Sequence, residues 1–226
     1  QHSHELGSPT HLAAIAAADL NAITVANAVD RLNAAGEDIL LLIGSDHGHE
    51  TVGEIVDLDE ELIAAGFKAH VDSSDVVVAS QGFSAFVYLA DDQRYKVRDI
   101  ALFLGNLEGV GSVYAGADLE RIGQRSDGAL AIAVDAAKSD AKTAYGVPGL
   151  SAAFANRFSM TLEVGKGEHG GLGKYEQNPF LIAIGGGFVA GSQTDRETSA
   201  VDIAPTVLRH LGLPADGMDG AALSRQ

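Results

Sequence analysis

Apolar residues recur at helical spacing through Leu12, Ile15, Ala16, Leu20, Ile23, Val29 and Leu32. With Ser8 as a cap and Pro9 at the first helical position, the pattern predicts one long helix from residue 9 to about residue 35, stopped by Gly36. Residues 39–43 form an unbroken apolar run that ends at Gly44 and is too short for an ordinary helix. A run apolar on both faces predicts a buried strand in a parallel sheet covered by helices on each side. In such sheets the chemistry collects beyond the carboxyl ends of the strands.

Residues 57–65 read as a short acidic helix closed by Gly66. Two strand-like runs, 76–81 and 84–89, flank Gly82 and suggest a hairpin or adjacent strands. A helix over 95–107, a strand over 110–114, a short helix or turn over 119–123 and a strand over 130–134 follow. Residues 136–158 are expected to be irregular around Gly146-Val147-Pro148-Gly149. Strands are expected over 160–164 and, buried, over 180–184. The final helix takes Asp202 as its cap, with Pro205 in its first turn and Val207, Leu208 and Leu211 on its apolar face.

These elements predict an α/β protein: a three-layer α/β/α sandwich with a mostly parallel sheet and a small α+β insertion. Residues 1–66 and 159–226 would form the core, and 67–158 an inserted lobe with its connection. The chain of 226 residues holds no uninterrupted apolar run approaching the roughly 20 residues of a membrane helix. A soluble, globular chain without a membrane segment is the expectation.

Composition removes several kinds of chemistry. With no cysteine, disulfides, thiolate metal sites and a cysteine nucleophile are excluded. A formal charge of −16 and the lack of a basic run argue against binding a nucleic-acid backbone. The acidity reads as solubility. It also means that any phosphate chemistry needs strong local positive charge, which bound divalent cations would supply.

Three distant pieces of sequence present histidine among glycines: His2 with His4, Asp46-His47-Gly48-His49, and His169 within Gly167-Glu168-His169-Gly170-Gly171. Imidazole and carboxylate are the ordinary ligands of zinc and related ions, and glycine lets the backbone approach an ion or oxyanion closely. A capped turn and a surface histidine would account for either Asp46-His47 or His169 alone. Each lies in a loop after a strand, however, and both are expected to face the same end of a parallel sheet. The opening, Gln1-His2-Ser3-His4-Glu5-Leu6-Gly7, lacks both Met and a signal-peptide pattern and reads as the middle of a loop, so residues preceding Gln1 are expected.

The set Gly44-Ser45-Asp46-His47-Gly48, Gly167-Glu168-His169-Gly170-Gly171 and 199–208 with Gly212-Leu213-Pro214 resembles the alkaline phosphatase superfamily. Within it the likeness is to the nucleotide pyrophosphatase/phosphodiesterase branch, which includes phosphonoacetate hydrolase. The segment from His2 to Pro9 is similar to the tail of that branch's Pro-Asp-x-x-x-His segment. The resemblance implies a phosphoric-ester hydrolase with two divalent metal ions, zinc by preference, and a small phosphate ester or phosphonate as substrate. Asp46 and His47 would ligate one ion and His2 and His169 the other, with His4 as a substitute for His2. His49 would lie behind the ligands or on the surface.

In that family one ion activates a Thr or Ser hydroxyl for in-line attack on phosphorus, the other stabilises the leaving oxygen, and water then resolves the covalent intermediate. The family's nucleophile and remaining ligands would precede Gln1, and no serine or threonine of this sequence matches the nucleophile motif. The alternatives are a phosphonate hydrolase or a catalytically incomplete metal-binding fragment. Lys166, Lys174 and Tyr175 flank His169 and could meet a substrate, although surface solvation accounts for both lysines.

Overall fold

The computed structural model describes residues 2–157 and 162–225. In chain order it contains α1 (Pro9–Ala34), β1 (Leu40–Gly44), β2 (Glu50–Val56), α2 (Leu58–Ala64), β3 (Val76–Gln81), β4 (Ser84–Leu89), α3 (Val97–Leu104), β5 (Val110–Ala115), β6 (Leu130–Ala136), β7 (Lys138–Lys142), β8 (Pro148–Phe154), β9 (Gly167–Glu168), β10 (Leu181–Gly185) and α4 (Ile203–His210). Three 3-10 segments, Asp91–Lys96, Gly116–Ile122 and Ala200–Asp202, lie between them. The fold is α/β, as expected. The strand expected over 160–164 falls partly outside the described residues, and Leu162 to Val164 are not in a strand.

The chain divides into two compact units, one of residues 1–13 and 46–179, the other of residues 14–45 and 180–226. The first holds two four-stranded sheets, ordered β7-β8-β2-β9 and β3-β4-β6-β5. β3 and β4 form the expected hairpin, with Gln81 opposite Ser84 across the Gly82-Phe83 turn. The alternation along β3 and β4 puts Val76, Val78, Ala85, Val87 and Leu89 into the main core, where Ile132 and Val134 of β6 join them. Leu58 and Leu62 of α2 and Ile100 and Leu104 of α3 close over that core. The start of α2 is set by Asp57, whose carboxylate accepts the Glu60 N–H.

Residues 136–158, expected to be irregular, instead supply β7 and β8. These pair antiparallel with each other, and β8 also runs parallel to β2. β8 is rich in small residues and β7 is a polar edge, so neither shows a strand pattern in sequence. The predicted turn survives between them, where the Thr143 N–H donates to the Val147 carbonyl. β8 thus ties the end of the lobe expected at 67–158 into the sheet of β2.

In the second unit β1 pairs antiparallel with β10, Leu42 facing Ala183. This departs from the parallel, fully buried strands expected at 39–43 and 180–184. β1 is half-buried, while Leu181 and Ile182 of β10 are exposed. Among the described residues β2 and β8 are the one parallel pair. Asn33, near the end of α1, both donates to the Ile39 carbonyl and accepts the Ile39 N–H, fixing the entry to β1. The expected Asp202 cap is a capping box instead: Ser199 caps the 3-10 turn, and Asp202 accepts the Ser199 N–H.

By length and composition α1 is apolar enough to cross a membrane, with an 18-residue window of mean hydropathy 1.6. Counting uninterrupted apolar runs missed this, because Asp19, Asn21, Thr24 and Asn27 break the run while leaving its mean hydropathy high. Most of its large apolar side chains are exposed, Leu20 by 66%.

Candidate metal centre

Four histidines of the first unit come together. β2 and β9 pair antiparallel, with Glu50 opposite Glu168, so the residue before β2 and the residue after β9 emerge side by side. These are His49 and His169, whose ring centroids lie 5.3 Å apart. His47 stacks on His169 at 3.8 Å with its ring tilted by 25°. His2 sits 5.5 Å from His49 and 5.3 Å from His169 by ring centroid. Sequence reasoning expected convergence at the carboxyl end of a parallel sheet; it arises from a two-residue antiparallel pairing too short to read from sequence.

Ligand atoms of His2, His49 and His169 all lie within 4.8 Å of one another. Nδ1 of His2 is buried and makes no hydrogen bond, although Oε2 of Glu168 lies 3.3 Å away. An orphaned buried nitrogen among imidazoles fits a zinc-type donor set. His49, expected behind the ligands or on the surface, belongs to this half-buried group. Asp46 is exposed; its carboxylate accepts the His47 N–H and stands 3.4 Å from His47 Nε2. The Gly48 carbonyl, 2.8 Å from His47 Nδ1, must accept from it, so in the neutral ring Nε2, on the Asp46 side, is the nitrogen that carries the lone pair. His4 is not a member of the group formed by His2, His49 and His169.

Burial, followed by repulsion from His47, His169 and His2, lowers the pKa of His49 to about 4. Burial and His47 lower that of His169 as well. The His49 ring therefore keeps its metal-binding lone pair into mild acid, and the His169 ring is shifted in the same direction. The backbone N–H of Asp46 itself, helped by His47, holds the Asp46 carboxyl below its ordinary range.

The glycines around the histidines mark close approaches. The Gly48 N–H donates to the Glu176 carbonyl, and a Cβ at Gly48 would meet the Tyr175 carbonyl oxygen at 2.0 Å. The His169 carbonyl accepts the Phe83 N–H from the β3–β4 turn. Glu168 accepts the His169 N–H, so one carboxylate reaches both His169 and His2. None of these supports carries a sequence signal beyond the glycines themselves.

Beneath the glycine loop lies a buried charge network that sequence reasoning did not find. Lys138 Nζ is 3.0 Å from Glu176, 3.6 Å from Asp135 and 4.0 Å from Glu50. Glu176 accepts the N–H groups of Gly171 and Gly173, Asp135 accepts that of Leu172, and Glu50 takes the Ser151 hydroxyl. Burial raises the Asp135 pKa against the opposing pull of Lys138. Lys174, by contrast, is exposed and paired with Asp140 at 2.7 Å. A cavity of about 330 Å³ adjoins the histidines; His47, His169 and Asp135 line it together with Phe86 and Tyr114.

No family model matches the sequence, and no curated protein matches it. Solved structures do. Human ectonucleotide pyrophosphatase/phosphodiesterase 5 is 19% identical and superposes with a TM-score of 0.68 over 96% of this chain and 53% of its own. The murine protein of the same name gives 18% identity and a TM-score of 0.68 over 95% of this chain and 51% of its own. The chain thus spans about half the length of the solved chains it matches. Over that span it shares the α/β fold of these two solved structures.

Proposed function

We propose that the chain is the metal-binding part of a phosphoric-ester hydrolase of the phosphodiesterase or nucleotide pyrophosphatase type. It would hold two divalent ions, zinc by preference, and use a Thr or Ser nucleophile supplied from outside residues 1–226. The observation that carries the reading is the three-imidazole group His2, His49 and His169 with Asp46-His47 against it. His2 and His169, joined by His49, would hold one ion, and Asp46 with His47 would contribute to the other. On this reading 67–158 is an inserted lobe and its connection, and the remainder is the catalytic core.

Ions bound there would polarise a phosphoryl oxygen and lower the pKa of a hydroxyl nucleophile. The chain's own residues prepare the site for that. The Gly48 carbonyl fixes the His47 tautomer, Glu168 holds the His169 backbone and stands beside the His2 ring, and the low His49 pKa keeps its ring neutral. A charge of −16 would otherwise repel a phosphate, so binding of substrate should depend wholly on the ions.

Equilibrium dialysis of the chain with zinc, followed by titration with methyl phosphate, tests the proposal. Zinc uptake, and phosphate binding seen only after it, are expected. Failure to take up zinc, or equal phosphate binding by the zinc-free chain, overturns it. Turnover of a phosphodiester by residues 1–226 alone would overturn the external nucleophile.

A further inference from the structure

Three of the histidines arrive on two limbs of the chain. One limb is the segment 46–49 that leads into β2, and the other is the loop 169–173 that follows β9. The supports of both limbs meet at the ammonium of Lys138, at the start of β7. On the first limb Glu50 follows His49 directly, is buried, and stands 4.0 Å from Lys138 Nζ. On the second, Glu176 is buried 3.0 Å from the same nitrogen and accepts the N–H groups of Gly171 and Gly173. The Glu176 carbonyl also accepts the Gly48 N–H, so its backbone reaches back to the first limb.

Two further supports converge on the same cation. Lys138 Nζ lies 4.9 Å from the centroid of the Phe83 ring, and the Phe83 N–H donates to the His169 carbonyl. Asp135, 3.6 Å from Nζ, accepts the Leu172 N–H. All three backbone N–H groups of residues 171–173 therefore end on carboxylates that face Lys138. Without the ammonium, Glu50, Asp135 and Glu176 would repel one another across the gap it fills, and the repulsion is strong where little water screens it. The His47 ring stacked on His169 at 3.8 Å spans the two limbs and would open as they part.

We infer that Lys138 is a positioning residue of the metal centre: its ammonium joins the limb of His47 and His49 to the limb of His169 and so sets the spacing of the imidazoles. The inference rests on the proposed reading of those imidazoles as metal ligands. Lys138 acts through Glu50, Glu176 and Phe83. An ion network that served stability alone would leave the spacing of the rings unchanged when stability fell.

Two measurements on the full chain at pH 8 test this: the nuclear Overhauser contact between the His47 and His169 rings without zinc, and zinc affinity by chelator competition. Leu104→Ala, which empties a fully buried position of the main core, is the destabilised control. The unaltered chain should show the ring contact. Lys138→Met should lose it and bind zinc about tenfold more weakly, the lower end of the effect of groups that support metal ligands. Leu104→Ala should keep both. Retention of the contact or of full affinity in Lys138→Met, a control that loses both, or an unaltered chain without the contact overturns the inference. If the unaltered chain takes up no zinc, the metal reading fails by itself, and the ring contact alone decides the positioning role. If Lys138→Met does not fold, Glu50→Gln takes its place. The amide can still accept the Tyr175 N–H and bond the Ser151 hydroxyl, and it lessens the excess of carboxylates, but it removes the charge that holds the His49 limb to Lys138. Loss of the ring contact in that variant sustains the inference, and its retention overturns it.

Discussion

Glu50 and Glu168 face each other across the antiparallel pairing of β2 with β9, and this register delivers His49 and His169 to the same spot. Two strands that meet over two residue pairs thus fix the geometry of the candidate metal centre. The glutamates have separate tasks: Glu50 turns into the Lys138 network, and Glu168 reaches His2 and His169.

If the three imidazoles share an ion, each should matter to its affinity. Loss of a group that only orients a ligand typically weakens metal binding by about 10- to 100-fold. His2→Ala, His49→Ala and His169→Ala should each weaken zinc binding by at least about 100-fold, with little change in fold. Competition with a chromophoric chelator measures this, and circular dichroism checks the fold. An unchanged affinity in His49→Ala would return that residue to the supporting role its sequence context suggested.

How much of this was legible can be followed residue by residue. The glycine settings of His47 and His169 announced a site because glycine signals close backbone approach, and Gly48 and Gly170 both make one. The partner of each approach was invisible: Tyr175 and Gln81 carry no pattern that ties them to those glycines. β3, β4, β5 and β6 were readable because each is a short run containing β-branched or aromatic residues. β7 and β8 were not, since a polar edge and a run of Ser and Ala give no such signal. The direction of β1 was misread because an apolar run specifies a strand and not its partner.

The His49 shift has a sign that can be measured in the zinc-free chain. In the unfolded state histidine takes its proton near pH 6.5, whereas in the folded state His49 waits until about pH 4. Between those values the unfolded chain binds more protons, so stability should fall as pH drops from 6.5 toward 4 and level off below. Above pH 6.5 His49 contributes nothing to the slope. Urea midpoints at pH 7.5, 5.5 and 4.5 should show a smaller decline in His49→Asn than in the unaltered chain; equal declines would refute the shift.

Lys138 is the single cation among three carboxylates of which Glu50 and Glu176 are 2% and 1% exposed. Removing one partner of a buried ion pair leaves uncompensated charge and typically costs about 3–5 kcal/mol. Lys138→Met should destabilise the first unit by that order at pH 8. The loss should shrink toward pH 5, because without the opposing ammonium burial raises the Asp135 carboxyl further and favours its neutral form. Denaturant unfolding at the two pH values measures both effects. A pH-independent loss would mean that packing, rather than charge, accounts for it.

Gly48 offers no side chain to an ion, yet it should be as necessary as a ligand. A Cβ there would lie 2.0 Å from the Tyr175 carbonyl oxygen and 3.1 Å from the Glu176 Cα, and both are backbone that cannot swing aside. The segment must then lift from 175–176, breaking the Gly48 N–H bond to the Glu176 carbonyl and carrying His47 and His49 out of register together. Overpacking of this kind typically costs about 1–3 kcal/mol. Gly48→Ala should lose that stability and most of its zinc affinity. At Gly128, where a Cβ would find its nearest neighbours at an ordinary 3.8 Å, Gly128→Ala should retain both. Measuring zinc affinity and urea midpoint in the two variants separates a local clash from a general cost of replacing glycine. Equal behaviour would show that the approach of Gly48 to Tyr175 does not position the histidines.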